Sequence, residues 1–117
     1  MTFEADLFTL LKLEATRVFP DFAPVTTQRP YVTYQGIGGA VINPLDNSAP
    51  GKRNAEVQIT VWSNTRKEAL TISRAIETRM RAASAFQARP LAAEVADYDA
   101  DIPVYGCRQD FSCWFTG

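Results

Sequence analysis

The residues best placed to do chemistry form an acidic run near the C-terminus, "DYDAD". Asp97, Asp99 and Asp101 occupy every second position, which is the spacing of the first three ligands of a calcium-binding loop. Such a loop then needs a glycine, and a glutamate at its twelfth position, whereas this chain has Ile102 and Arg108 there. We therefore expect a solvated acidic turn and no metal site.

Other catalytic arrangements find little support in the sequence. The chain has no histidine, which excludes Ser-His and Cys-His nucleophiles. The segment "GIGGA" at 36–40 is glycine-rich but lacks the Lys-Ser/Thr pair of a phosphate-binding loop. No pair of carboxylates stands out as suited to hydrolysis. We predict that the protein is not an enzyme and binds no cofactor.

The two cysteines, Cys107 and Cys113, are six residues apart in what reads as one strand. At about 3.3 Å per residue they would lie roughly 20 Å apart on one face. A disulfide requires Cα atoms within about 7 Å, so we expect two buried free thiols. The same separation disfavours a metal site built on both sulfurs.

Length and composition predict one domain, residues 1–117, with a real hydrophobic core. Hydrophobic residues make up 46% of the chain, charged residues 21%, and the formal net charge is -1. A net charge this close to zero creates no strong electrostatic attraction to nucleic acid or to an anionic membrane. The N-terminus has acidic residues where a secretory signal has basic ones, and no apolar run nears the roughly 20 residues of a membrane span. We expect a mature chain that starts near Met1 and has no membrane partner.

Two helices are predicted from apolar spacing. The first covers Thr2–Val18, with Thr2 as its N-cap. The second begins after Thr65, which forms a T-x-x-E capping box with Glu68. Its apolar stripe comprises Ala69, Ile72, Ile76, Met80 and Ala83.

Strands are predicted between and after the helices. "PYVTYQG" indicates a strand at Tyr31–Gln35, and Ala55–Trp62 alternates apolar and polar residues more regularly than any other segment. Between them, residues 36–54 read as a flexible loop with a possible short strand at Ala40–Asn43. "LAAEVADYD" and "VYGCRQDFSCWF" predict a short and a long final strand. The expected fold class is α+β: a single, mostly antiparallel sheet of four to five strands with two helices packed on one face.

Two surface features leave alternatives open. The second helix carries five basic residues, which could contact nucleic acid or could be a solvated face with local pairs such as Glu77–Arg81. Trp62 and Trp114 lie on the less apolar faces of their strands. Each is either a contact residue for a partner or a side chain covered by another part of the chain.

The order of these motifs resembles the tail completion proteins, or tail terminators, of long-tailed bacteriophages and prophages. The resemblance rests on Pro30–Gln35, on the V-Q-I-x-x-W strand at Val57–Trp62 and on the Thr-x-x-x-A helix start at Thr65–Ala69. It covers most of the chain but not the loop at 36–54.

The resemblance implies a structural role in virion assembly. Such proteins form a ring, typically of six subunits, that caps the head-proximal end of the tail tube, stops its growth and presents a head-joining surface. The implied partners are other copies of the chain, the tail tube protein and the head–tail connector protein. The implied location is the host-cell cytoplasm during assembly and then the virion tail.

A closed ring needs two different patches on each subunit. Four candidate contact residues are apolar side chains of the loop: Ile37, Val41, Ile42 and Leu45. Two more are Arg53, at the end of the loop, and Trp62, on the outer face of the following strand. A head–tail joining or minor capsid protein is an alternative of similar build. A small nucleic-acid-binding module is the alternative from another class, although we expect no specific nucleic acid partner.

Overall fold

The computed structural model describes residues 2–47 and 51–116. Within them the chain forms two helices and one six-stranded sheet. In chain order the elements are α1 (Phe3–Leu11), β1 (Val18–Pro20), β2 (Tyr31–Gly38), β3 (Lys52–Ser63), α2 (Arg66–Arg81), β4 (Gln87–Pro90), β5 (Val95–Asp99) and β6 (Val104–Thr116). The fold is α+β, as the sequence predicted, and the molecule measures 52 × 25 × 25 Å along its principal axes.

The sheet order is β1-β2-β3-β6, with β4 and β5 both bordering β6. The strand β4 pairs with the C-terminal half of β6, and β5 pairs with its N-terminal half, so the two short strands share one edge. Every pairing is antiparallel except that of β1 with β2, which is parallel. The two long central strands, β3 and β6, run side by side over twelve residue pairs and give the molecule its length.

One face of the sheet carries the core. The alternation predicted for β3 is confirmed, since Val57, Ile59 and Val61 are buried there. They face buried partners on β6 and β2, including Phe111 and Val32. Both helices pack on this face, while the opposite face has no covering layer of helices among the described residues.

The start of α2 follows the predicted cap with one difference. The Thr65 side chain accepts a hydrogen bond from the Glu68 amide at 3.2 Å. The Glu68 carboxylate, however, accepts a hydrogen bond from the buried Ser63 hydroxyl instead of reaching the Thr65 amide. The Ser63 hydroxyl in turn accepts from the Thr65 amide at 3.3 Å, so the orphan amide is still satisfied.

Several predicted elements need correction. The loop predicted at 36–54 is shorter, because β2 continues to Gly38 and β3 begins at Lys52. The first helix ends at Leu11 rather than Val18, because Val18 leaves the helix to pair with Val32 in the sheet. The sheet has six strands rather than four to five, since neither the three-residue β1 nor β4 was predicted, whereas β5 falls inside the short strand predicted at 91–99. Ala40–Asn43 is not a strand.

The expectation of two free, buried thiols is confirmed for Cys107 and Cys113. Both lie on the core face of β6, opposite Val61 and Ala55 respectively. Burial raises the pKa of the Cys113 thiol to about 12. No helix of the described residues is long and apolar enough to cross a membrane.

Candidate interaction surface

The connection between β2 and β3 holds most of the predicted contact residues. Ile37 lies within β2, and the connection that follows is irregular over its described residues 39–47. Val41 is 77% exposed and Leu45 is fully exposed, while Ile42 and Ile37 are about two-fifths exposed. Isolated exposed apolar residues are ordinary, but these four lie within nine residues of the chain and together expose apolar surface to water. We call the group Ile37, Val41, Ile42 and Leu45 the loop patch.

The base of this connection is held to the sheet by Asn54. The Asn54 side-chain oxygen accepts a hydrogen bond from the Ala40 amide at 2.8 Å. Its amide nitrogen donates to the Ser112 hydroxyl at 2.9 Å and to the Cys113 carbonyl at 3.1 Å. The neighbouring Gly39 has φ +148°, and a Cβ there would lie 2.4 Å from the Asn54 carbonyl oxygen. The connection is therefore anchored at its start although its apolar side chains lack a local core.

Trp62 lies near the opposite end of β3. Its side chain is half-buried and points to the open face of the sheet, as predicted. The indole lies over Gly106 on the neighbouring strand, where a Cβ would come within 2.7 Å of the ring. The indole also borders a shallow, mostly polar cleft of about 310 Å³ formed with Phe22, Tyr31 and the polar side chains of β2 and β3.

The structure therefore divides the predicted contact residues into two groups. Arg53 is exposed and joins the loop patch at one end of β3. Trp62 is nine residues further along the same strand, which corresponds to about 30 Å. These six residues cannot form one continuous patch on a single subunit.

A third surface was missed by the sequence reasoning. A groove of about 650 Å³ separates α1 from the C-terminal half of α2. Its apolar lining consists of Leu10, Leu13, Ala75, Ala82, Ala83, Ala85 and Phe86. Leu13, just beyond the end of α1, is 60% exposed. The signal in the sequence was the run of small residues "RAASA" after the apolar stripe of α2, which leaves the helices without bulky side chains to fill the space between them.

The basic side chains of α2 are largely engaged with acidic neighbours. The predicted pair of Arg81 with Glu77 is present, with Nε 3.1 Å from the carboxylate. Arg79 pairs with Glu14 at 2.6 Å, and Arg74 pairs with Glu94 at 3.2 Å. These exposed pairs contribute little stability, but they hold the arginines in local contacts.

The acidic run forms the β5–β6 turn. The Asp99 carboxylate accepts hydrogen bonds from the Asp101 amide at 3.0 Å and from the Ile102 amide at 3.4 Å. Within residues 2–47 and 51–116, no three side chains of His, Cys, Asp or Glu are grouped so that they could hold a metal ion. The carboxylates that were candidate ligands thus cap their own turn.

Comparisons with known proteins place this architecture in a family. A comparison with curated protein sequences gave no match. Among solved structures, a chain from the virion of a native gene transfer agent particle is similar, with a TM-score of 0.74 and 14% sequence identity. The match covers 98% of this chain and 95% of that chain, and at this identity it shows a shared fold.

The comparison with protein families identifies the family of this chain, and not only its fold. The model of the family described as tail completion protein gp17 matches residues 5–116, which is nearly the whole chain. The match spans the open-faced sheet, both helices and the loop patch, and it agrees with the resemblance carried by the β2, β3 and α2 motifs. The chain therefore belongs to the tail completion protein gp17 family, whose members are structural proteins of the phage virion.

Proposed function

We propose that this protein caps the head-proximal end of a phage tail tube as a closed ring, typically of six subunits. The ring stops further growth of the tube and presents a surface to the head–tail connector protein. It assembles in the host-cell cytoplasm and remains in the virion tail. In this proposal the protein has no catalytic role and needs no cofactor or metal ion.

The observation that carries the proposal is the loop patch on its anchored base. Val41 and Leu45 expose apolar surface that burial against a partner would stabilise, at about 25 cal/mol per Å² removed from water. Because Asn54 fixes the base, less conformational freedom is lost when the segment docks. A subunit of a ring requires such a patch and a different surface to receive it.

The separation of Trp62 from the loop patch also supports an assembling role. A ring on a tube contacts its neighbours in the ring, the tube below and the connector above. Surfaces at the two ends of β3 are suited to different contacts of this kind. We propose that Trp62 and its polar cleft contact a partner other than the surface that receives the loop patch.

The experiment that tests the proposal measures tube growth. Purified tail tube protein is polymerised with and without this chain, and tube lengths are measured by negative-stain electron microscopy. The proposal predicts that the chain stops elongation and leaves a ring-shaped density at one end of each tube. Tubes that continue to grow with bare ends would contradict it.

A double variant shows whether the loop patch takes part in capping. Val41→Ser with Leu45→Ser removes exposed apolar surface without touching the core, and we expect it to weaken capping by at least about tenfold, or roughly 1.4 kcal/mol. Val25→Ser is the matched control, since Val25 is 90% exposed and lies outside the patch. Equal capping by both variants would remove the loop patch from the proposal.

A further inference from the structure

We propose that the groove between α1 and α2 receives the loop patch of a second copy of this chain. The inference rests on the proposed ring and identifies its repeating contact. The loop patch of each subunit inserts between the helices of the next, so that one heterologous interface repeats around the axis.

The groove has the size and chemistry to accept apolar side chains. Its volume of about 650 Å³ lies within the range of roughly 300–1,000 Å³ that is usual for binding pockets. Leu10, Leu13 and Phe86 provide apolar walls, and the small residues at 82–85, just after α2, leave room between them. The Arg79–Glu14 ion pair supplies a charged part of the lining. Leu13 is 60% exposed, so its side chain is accessible to a neighbouring subunit at the mouth of the groove.

The loop patch and the groove lie at the same end of the molecule. The Phe3 ring of α1 stacks on Phe115 with centroids 4.4 Å apart and meets Phe86 edge-on at 5.1 Å. Phe86 lines the groove, whereas Phe115 borders the recess at the base of the connection. The Phe3 ring, which contacts both Phe86 and Phe115, therefore links the two surfaces.

The location of both surfaces at one end of the molecule matters for a ring, because rotation about the ring axis does not change the height of a point along that axis. Two surfaces that meet in a ring must have equal heights. A ring axis along the 52 Å dimension satisfies this requirement, since it places the loop patch of one subunit at the height of the groove of the next. Trp62 itself is nine residues from Arg53, or about 30 Å along β3, so its indole does not meet the loop patch in this arrangement.

Charge at the rims also matches. Asp6 lines the groove and makes no ion pair with any described residue. Lys52, at the end of the connection, is exposed and likewise has no ion pair among the described residues. An approach of Lys52 to Asp6 of the next subunit would orient the docking of the loop patch.

Disulfide trapping between copies tests the contact. Leu13→Cys and Leu45→Cys are made in separate chains, mixed with tail tubes that lack this protein, and mildly oxidised. Both positions are exposed, so the fold tolerates the changes, and the native Cys107 and Cys113 are too buried to react. A mixture of Leu13→Cys with Val25→Cys is the matched control, because Val25 is exposed but lies outside the loop patch.

We expect the mixture of Leu13→Cys and Leu45→Cys to form cross-linked dimers at least about tenfold faster than the control mixture, since docking raises the effective concentration of the two thiols. Neither variant alone should dimerise, because the contact joins two different surfaces. One chain carrying both changes should give a ladder of oligomers on a non-reducing gel.

Other outcomes would overturn the inference and separate it from the proposed function. Rings visible on the tubes without this cross-link would leave capping intact and reject the groove as the receiving surface. Dimers of Leu45→Cys alone would show a two-fold contact instead. A doubly substituted chain that closes only on itself would show that the groove takes its own loop patch. Bare tube ends would reject the ring and the groove contact together.

Discussion

The β3–α2 unit and the connection before it lie next to each other in the chain but are organised in opposite ways. In the unit, apolar side chains such as Val61 and Ile76 are buried, and polar ones such as Ser63 and Thr65 have defined hydrogen-bond partners. In the connection after β2, Val41 and Leu45 face solvent, while the backbone is anchored at Ala40 by the Asn54 side chain. The strand–helix unit is a packed scaffold, and we propose that the interaction surface lies in the connection, where apolar residues lack a local packing role.

The largest expected effect comes from breaking the scaffold. Phe111→Ala removes a fully buried ring opposite Val57, and we expect it to lower the free energy of unfolding by about 3–5 kcal/mol. Urea denaturation measures the change. Phe22→Ala is the control, since Phe22 is 78% exposed and its loss should cost less than about 0.5 kcal/mol. Equal losses for the two variants would mean that the core is not organised around β3 and β6.

High pH tests the burial of the core thiols. The pKa of Cys113 is raised from 9.0 in the unfolded chain to about 12 by burial, and burial also raises that of Cys107. Between pH 9 and 12 the folded state therefore holds a proton that the unfolded state loses. The Cys113 contribution to stability is fully present below pH 9 and falls by up to about 1.4 kcal/mol per pH unit above it.

Urea denaturation of the wild-type chain and of Cys113→Ala at pH 8, 9, 10 and 11 measures this dependence. The wild-type stability should fall more steeply above pH 9 than that of the variant, because the variant lacks one titrating thiol. Parallel curves would show that Cys113 is accessible to solvent in the folded protein.

Substitutions in the loop patch should affect folding least, in contrast to Phe111→Ala in the core. Val41→Ser with Leu45→Ser should change the free energy of unfolding by less than about 0.5 kcal/mol, because neither side chain is packed. The same urea titration serves as the measurement. A loss comparable to that of Phe111→Ala would show that the patch belongs to the core and not to an interface.

The regular elements were predictable because their patterns are local. The two-residue alternation of β3 and the Thr65 cap of α2 each depend on neighbouring residues in the sequence. The end of α1 was misplaced because Ala15 and Val18 continue the apolar spacing of the helix. Their burial comes instead from the turn after the helix and from pairing with β2.

The strand β1 escaped prediction because three residues ending in Pro20 show no periodicity, and their parallel partner lies beyond a long connection. The prediction of the contact residues was limited in the same way, because it also depends on how distant segments pair. The exposed apolar residues of the connection could be chosen from the sequence, but their distance from Trp62 depends on the length and register of β3. The groove was not predicted because the small residues after α2 mark it only once the packing of α1 against α2 is known.

The most direct test of the proposed capping role is to mix the 13.0 kDa chain with purified tail tubes that lack it and to image the tube ends by negative stain. Light scattering of the free protein at several concentrations accompanies the images. The proposal predicts one ring-shaped particle at a single end of each tube in the images. If the ring also forms in solution, light scattering should give a mass of about six chains. Tubes with two bare ends, beside a protein that stays monomeric at every concentration, would contradict it.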